Sequence, residues 1–227
     1  MQEFLQQLQF HLNARYPIIG LLTHEENRVW RALGIYCEEE SLPLYRWRES
    51  NGFEVKGETV ENTRDPVHAM EALTEINEPG LAVFWDFHHH LHATGVLRKL
   101  RDLCQSMGPK GQTIIFLCPQ LECPIELEKS IALIDVPLPS RSEISRLLTV
   151  LCEKKAITIP ETRFERFVSG ALGLTEEEIK RSFSRILLQG NSFSDSDLHL
   201  QIDDKKQALH RSRYLEYWDT YHLNLDV

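Results

Sequence analysis

Tyr16-Pro17-Ile18-Ile19-Gly20-Leu21-Leu22-Thr23-His24-Glu25-Glu26 is the stretch whose reading decides the fold class. Tyr16 to Leu22 is a continuous apolar run of strand length, and continuous rather than alternating hydrophobicity suits a strand covered on both faces, as in a parallel sheet. Thr23 then precedes Glu25 and Glu26, acids suited to the positive end of a helix. Val29, Trp30 and Leu33 mark that helix's buried stripe, which runs to about Cys37. Strand passes to helix within a few residues.

The same alternation extends in both directions. Upstream, Glu3 to Ala14 places Phe4, Leu5, Leu8 and Leu12 at helical spacing. Downstream, Pro43 to Trp47 reads as a second strand, Asn51 to Asp65 as a polar loop, and Pro66 to Ile76 as a helix with Asp65 as N-cap and Pro66 at its first position. Leu81 to Trp85 is a third strand ending at Asp86, Leu91 to Met107 a helix, Thr113 to Leu117 a fourth strand and Ile131 to Val136 a fifth. Five apolar runs separated by helices predict an α/β domain with a five-stranded, mostly parallel sheet between helices.

After Pro137-Leu138-Pro139 the strand signal stops. Ser140 with Glu143 forms a capping box ahead of Ile144, Leu147, Leu148 and Leu151. Pro160 to Ala171 and Thr175 to Leu188 read as two further helices, the second opened by a capping box of Thr175 and Glu178; Ser192 to Asp197 reads as a polar loop. The expected organisation is an N-terminal helix at 1–15, an α/β domain at 16–156, a small helical lid at 157–223 and the start of a linker at 224–227.

At 227 residues the chain is long enough to bury a sizeable core, and with 42% hydrophobic and 26% charged residues it has the composition of a folded globular protein. Its formal charge of -9 repels phosphate backbones and anionic membrane surfaces, which argues against nucleic-acid and membrane partners. Met1 to Gln9 lack the basic and apolar regions of a signal peptide, and no apolar run approaches the roughly 20 residues that span a bilayer, so a cytoplasmic address is expected. Five cysteines without a CxxC pair are expected to be reduced and mostly buried.

The loop after the first strand of such a sheet is where a phosphate cradle belongs, because glycine amides and a helix N-terminus bind anions there. Thr23 to Asn27 contain no GxxxxGK[ST], no glycine and no lysine, and they carry two carboxylates. Glu25 and Glu26 read as stabilisers of the helix N-terminus rather than as catalytic groups. Asp86 stands where nucleotide-hydrolysing enzymes hold Mg²⁺, but Phe87 follows where a water-polarising glutamate would stand. His88, His89, His90 and His92 form a cluster in which His88 and His92, if helical, share a face and could hold a metal; no HExxH glutamate accompanies them. Cys118 ends the fourth strand, and a thiol nucleophile there with His88 or His90 as base is an alternative chemistry. Arg98, Lys99 and Arg101 form a small basic patch suited to a subunit contact.

Leu12 to Ile19, Thr23 to Val29, Phe84 to His88, Pro124 to Lys129, Val136 to Pro139, Gly173 to Glu178 and Leu215 to Tyr217, taken in order, resemble the N-terminal region of a family of AAA+ ATPases. These are the hypothetical open-reading-frame ATPases of cyanobacteria and algal plastids, with bacterial relatives. The resemblance implies an AAA+-like P-loop-NTPase fold with a helical lid. In that family a degenerate N-terminal AAA-like domain precedes a second AAA+ domain with the working Walker motifs, joined just after a stretch like Tyr217 to Val227. ATP and Mg²⁺ are thereby implied for that second domain and no cofactor for this chain, and no catalytic residue carries over.

Three functional readings follow. The first is a non-catalytic regulatory or assembly domain that contacts its own AAA+ domain, other subunits and a client. The second is a metal- or thiol-dependent hydrolase using His88, His90, His92 or Cys118. The third is nucleotide binding without hydrolysis, with adenine contacts near Ala14 to Ile18 and the lid.

Overall fold

The computed structural model describes residues 1–188, 193–194, 196–199, 201–202 and 205–206. These residues divide into two compact units, Met1–Pro137 and the part that begins at Leu138. In chain order the first contains α1 (Gln2–Asn13), β1 (Ile18–Leu22), α2 (Glu26–Glu39), β2 (Leu44–Arg48), β3 (Gly52–Val55) and β4 (Glu58–Thr59). It continues with α3 (Pro66–Glu75), β5 (Gly80–Trp85), a 3-10 turn at Phe87–His90, α4 (Thr94–Lys110), β6 (Gln112–Cys118) and β7 (Ile131–Asp135). The sheet runs β4-β3-β2-β5-β6-β1-β7. Its five apolar strands β2, β5, β6, β1 and β7 are parallel throughout.

Helices cover both faces of the central strands, which is why β1, β5 and β6 read as continuous rather than alternating. Along β5, Leu81, Val83 and Trp85 join a core with Phe4 and Leu8 of α1 and Val29 and Leu33 of α2. Ala82 and Phe84 point to the other face, where they meet Met70 and Leu73 of α3 and Leu100 and Leu103 of α4. The result is a three-layer α/β/α unit.

The segment expected as a polar loop, Asn51 to Asp65, instead contains β3 and β4, so the sheet gains two antiparallel strands at its β2 edge. The turn between them places both Lys56 (φ 52°) and Gly57 (φ 87°) in the left-handed region, the geometry that lets a two-residue hairpin match strand twist. Phe53 is fully buried in the core. Thr63 fastens the return: its hydroxyl accepts from Phe53 N at 2.8 Å, and its carbonyl accepts from Trp47 Nε1 at 2.7 Å.

Local capping follows the sequence closely. Asp65 accepts from Val67 N at 2.9 Å and His68 N at 3.1 Å, with Pro66 at the first helical position. The helix expected from Leu91 begins at Thr94, because the chain first makes the 3-10 turn and Ala93, at the N-cap, has no side chain that could cap. It ends at Gly111, whose φ of 66° closes the last turn.

The second unit contains α5 (Arg141–Lys155), α6 (Glu161–Ala171) and α7 (Glu176–Leu188). Both expected capping boxes form: Glu143 accepts from Ser140 N at 2.9 Å and Glu178 from Thr175 N at 2.8 Å. The boundary between units lies at Pro137/Leu138 rather than at 156/157. The reason is α5, which buries Ile144, Leu148 and Cys152 in one core with Phe167, Val168, Ile179 and Phe183. Within the expected loop Ser192 to Asp197, Ser194 and Asp197 cap one another at the start of a helical turn over 196–199. The end of the expected lid, Leu215 to Tyr217 and the linker 224–227 lie outside the described residues.

Candidate functional site

The parallel strand order sets the carboxyl ends of β1, β5 and β6 side by side. Thr23 N donates to Cys118 O at 2.9 Å and Asp86 N donates to Leu117 O at 3.1 Å, so Thr23, Asp86 and Cys118 meet at one sheet edge, as the sequence reading required. In open α/β sheets this edge is where ligands bind.

The connection from β1 to α2 is closed on itself. Thr23 Oγ1 accepts from Glu25 N at 2.9 Å. The Glu25 side chain makes no cap bond to α2 and forms an ion pair with Arg28, with both side chains 5% exposed or less. Arg28 also donates to Pro137 O at 2.7 Å, tying the helix to the end of the unit. Glu25 stands at the N-cap of α2, and its carboxylate pairs with Arg28 in the first turn of that helix. Glu26 does lie in the first turn of α2. Burial raises its carboxyl pKa, Asp86 raises it further, and Arg48 partly offsets both.

Asp86 sits in the left-handed region (φ 52°) and is exposed. Phe87, in contrast, is fully buried, stacked on Phe116 at 5.0 Å and edge-on to Phe84 at 5.2 Å. The position after Asp86 thus belongs to the core and faces no ligand.

The four histidines do not gather at one point. Phe87–His90 is a 3-10 turn, so His88 and His92 do not share an α-helical face. The His88 and His89 rings lie 3.9 Å apart between centroids, tilted by 37°. His90 Nε2 lies 3.6 Å from Glu49, with the ring packed on Trp47 and Phe87; His92 is exposed. The His88 pKa is lowered, first by burial and then by His89. Among the described residues no group of three or more His, Cys, Asp or Glu side chains is placed to hold a metal ion. Cys118 is buried, and burial, with a smaller contribution from Asp86, pushes its pKa to about 11. That thiol is neutral at pH 7 and is a poor nucleophile. All five cysteines are free.

One cluster escaped the sequence reading. Arg48 lies over the Trp85 ring at 4.6 Å from its centroid, Trp30 packs on Trp85 at 5.0 Å, and Arg46 lies 5.8 Å from Trp30 while pairing with Glu54. The signal was the period-two alternation Tyr45-Arg46-Trp47-Arg48, which sends the rings to one core and the guanidinium groups to the opposite face. On the other side of β2, a cavity of about 590 Å³ is lined by Glu49, Arg64, Asp65, His90 and Val96 among others. The basic patch of α4 is largely neutralised, because Arg98 pairs with Asp102 and Lys99 lies 3.9 Å from Glu71.

Comparison with known proteins agrees with this architecture. Residues 4–136 match the family described as SpoVK-like AAA ATPase, N-terminal domain, and residues 141–212 match its second domain. The gap between the two matches coincides with the structural boundary at Pro137/Leu138. The chain is 29% identical to the AAA domain-containing protein ycf46 of Guillardia theta over 95% of its own length and 44% of that protein. It is 27% identical to ycf46 of Pyropia yezoensis over 99% of its length and 46% of that protein. It thus spans less than half of these relatives.

Among solved structures, the Holliday-junction branch-migration motor RuvB of Thermotoga maritima superposes with a TM-score of 0.57 at 11% identity, covering 92% of this chain and 69% of that one. Domain III of the Thermotoga maritima replication initiation protein DnaA gives 0.52 at 12% identity, covering 86% and 91%. These likenesses place the fold among AAA+ P-loop ATPases. By the match over its α/β unit and its helical unit alike, the chain belongs to the SpoVK-like AAA ATPase family.

Proposed function

We propose that this chain is a non-catalytic AAA-like portion of an ATP-dependent remodelling protein, acting as a regulatory or assembly element. The observation that carries the reading is the closed β1–α2 connection. A phosphate cradle needs free amides and a lysine, whereas here the Glu25 amide donates to Thr23 Oγ1 and the Glu25 carboxylate is buried against Arg28. Buried Phe87 in place of a water-polarising group supports the same reading. Glu26 supports it too, because its carboxylate lies in the first turn of α2, where a phosphate would need amides or cations.

In this reading ATP and Mg²⁺ act in another part of the parent protein, and the surfaces of this chain contact that part, further subunits or a client. A cytoplasmic setting fits, and no helix among the described residues is long and apolar enough to cross a membrane. Isothermal titration with Mg-ATP and Mg-ADP, with light scattering for mass, tests the proposal. No binding heat is expected, and micromolar binding would refute it.

A second reading, nucleotide binding without hydrolysis, draws on a cavity of about 200 Å³ lined by Leu12, Asn13, Arg15, Tyr36 and Thr113 among others, beside the Ala14 to Ile18 segment. Loss of a measured nucleotide affinity on Arg15→Ala would establish it.

A further inference from the structure

The connection from β6 to β7 is the one parallel crossover of the α/β unit without a helix. β1 reaches β2 through α2, β2 reaches β5 through the hairpin and α3, and β5 reaches β6 through α4. Residues 119–130 instead make turns, with Leu127 N donating to Pro124 O at 2.9 Å and Ser130 N to Leu127 O at 2.8 Å. Leu127 is fully buried and, with Leu121 and Cys123, serves the core shared with α3 and α4.

The layer above β1 and β7 is consequently thin. A Cβ on Gly20 would lie 2.8 Å from Leu133 Cδ2 and 2.9 Å from Leu121 Cδ2, so those two leucine tips cover the middle of β1 on this face. Leu133, mid-strand in β7, is still 51% exposed, and Ile125 in the connection is 77% exposed. The mid-strand residues of β1, β5 and β6 are all buried. The same segment carries Glu122, Glu126, Glu128 and Asp135, all exposed and none with an ion-pair partner among the described residues, against the single cation Lys129. Leu121 and Leu133 thus meet over Gly20, and exposed Ile125 and these carboxylates belong to the same short connection and its strand.

We propose that this face docks an amphipathic helix of a partner protein, its apolar stripe on Leu121, Ile125 and Leu133 and its flanking lysines or arginines toward the carboxylates. Two physical arguments select that occupant. A helix about 10 Å across fills the layer that α3 and α4 occupy over the rest of the same sheet face. Basic flanks answer four unpaired carboxylates, whereas an acidic or neutral helix meets repulsion or no attraction. The inference deepens the assembly role proposed above and rests on it.

The test uses two synthetic peptides of about 18 residues with leucines at i, i+3, i+4 and i+7, one with lysine flanks and one with glutamate flanks. Binding is read by fluorescence anisotropy and by amide chemical-shift mapping on the full chain. The lysine peptide is expected to bind, more weakly at higher salt, with shifts confined to 119–135 and about tenfold loss of affinity in Ile125→Asp and in Glu122→Lys/Glu126→Lys/Glu128→Lys. Both variants alter exposed positions, and circular dichroism verifies that they fold. Equal binding of the two peptides, unaffected variants, or shifts elsewhere would overturn the proposal. Titration of the same sample with Mg-ATP separates the two readings: nucleotide binding refutes the inert domain, and loss of peptide selectivity refutes only this surface.

Discussion

Phe87→Glu restores, on paper, the glutamate that would polarise water beside Asp86, and the structure says it unfolds the α/β unit instead. Phe87 is fully buried, with Phe116 at 5.0 Å, Phe84 at 5.2 Å and Trp47 at 5.4 Å between ring centroids. Truncating such a ring to alanine costs about 3–5 kcal/mol in transfer and cavity terms. Burying an unpaired carboxyl adds several kcal/mol if it is ionised, or the cost of protonating it if it is not. The sum is comparable to the whole stability of an ordinary domain, about 5–15 kcal/mol.

The assay is urea unfolding followed by tryptophan fluorescence. Three of the four tryptophans, Trp30, Trp47 and Trp85, lie in the α/β unit and Trp47 touches Phe87, so with Trp218 replaced by Phe the signal reports that unit directly. Phe87→Leu, which keeps most of the volume, is expected to lose about 1 kcal/mol. A pH series adds a signature. The introduced carboxyl would have a folded-state pKa above its unfolded value, so the folded state binds the extra proton and the penalty is present above the folded pKa and vanishes below the unfolded one. Phe87→Glu should therefore regain stability as pH falls toward 4. A Phe87→Glu protein with the wild-type midpoint at pH 7, or with ATPase activity, would refute the assignment of this position to the core.

Other substitutions probe separate parts of the molecule. Arg28→Ala breaks the buried pair with Glu25 and the bond to Pro137 O, and should cost about 3 kcal/mol in the same unfolding assay, against less for Arg28→Lys. Gly52→Ala puts a Cβ 2.8 Å from Thr63 Oγ1 at a φ of 94°, so a loss of about 1–3 kcal/mol is expected, with Thr63→Ala relieving the clash but not the strain. In native protein at pH 7.5, Cys37 and Cys118, with thiols pushed up to about 12 and about 11, should resist alkylation until denaturant is added, as mass spectrometry can show. His88 is held below its ordinary pKa by burial, so its contribution to stability is full above pH 6.5 and declines as pH falls; His88→Gln should flatten the stability profile just below that pH.

Much of this architecture is legible from local pattern, because the signals are short-range. Continuous runs such as Ile18 to Leu22 and Leu81 to Trp85 announce strands covered on both faces. Asp65-Pro66, Ser140 with Glu143, and Thr175 with Glu178 announce helix starts, since a capping side chain reaches only two or three residues along its own chain. The hairpin at Gly52 to Thr59 was less visible. Its one buried ring, Phe53, is surrounded by polar residues, and its turn uses Lys56, a residue that rarely adopts positive φ.

By itself the sequence determined the α/β class, the parallel strands, the family resemblance and the lack of a phosphate-loop motif, all of which depend on residue type and spacing. Tertiary structure alone decided how the β1–α2 connection is packed. That Arg28 joins Glu25 to Pro137 O, that Phe87 enters the aromatic core, that His90 packs on Trp47 and that Leu133 stays half exposed are outcomes of packing between elements far apart in the chain. A side chain's direction and burial follow from which neighbours the fold brings to it, and local spacing carries no record of those neighbours.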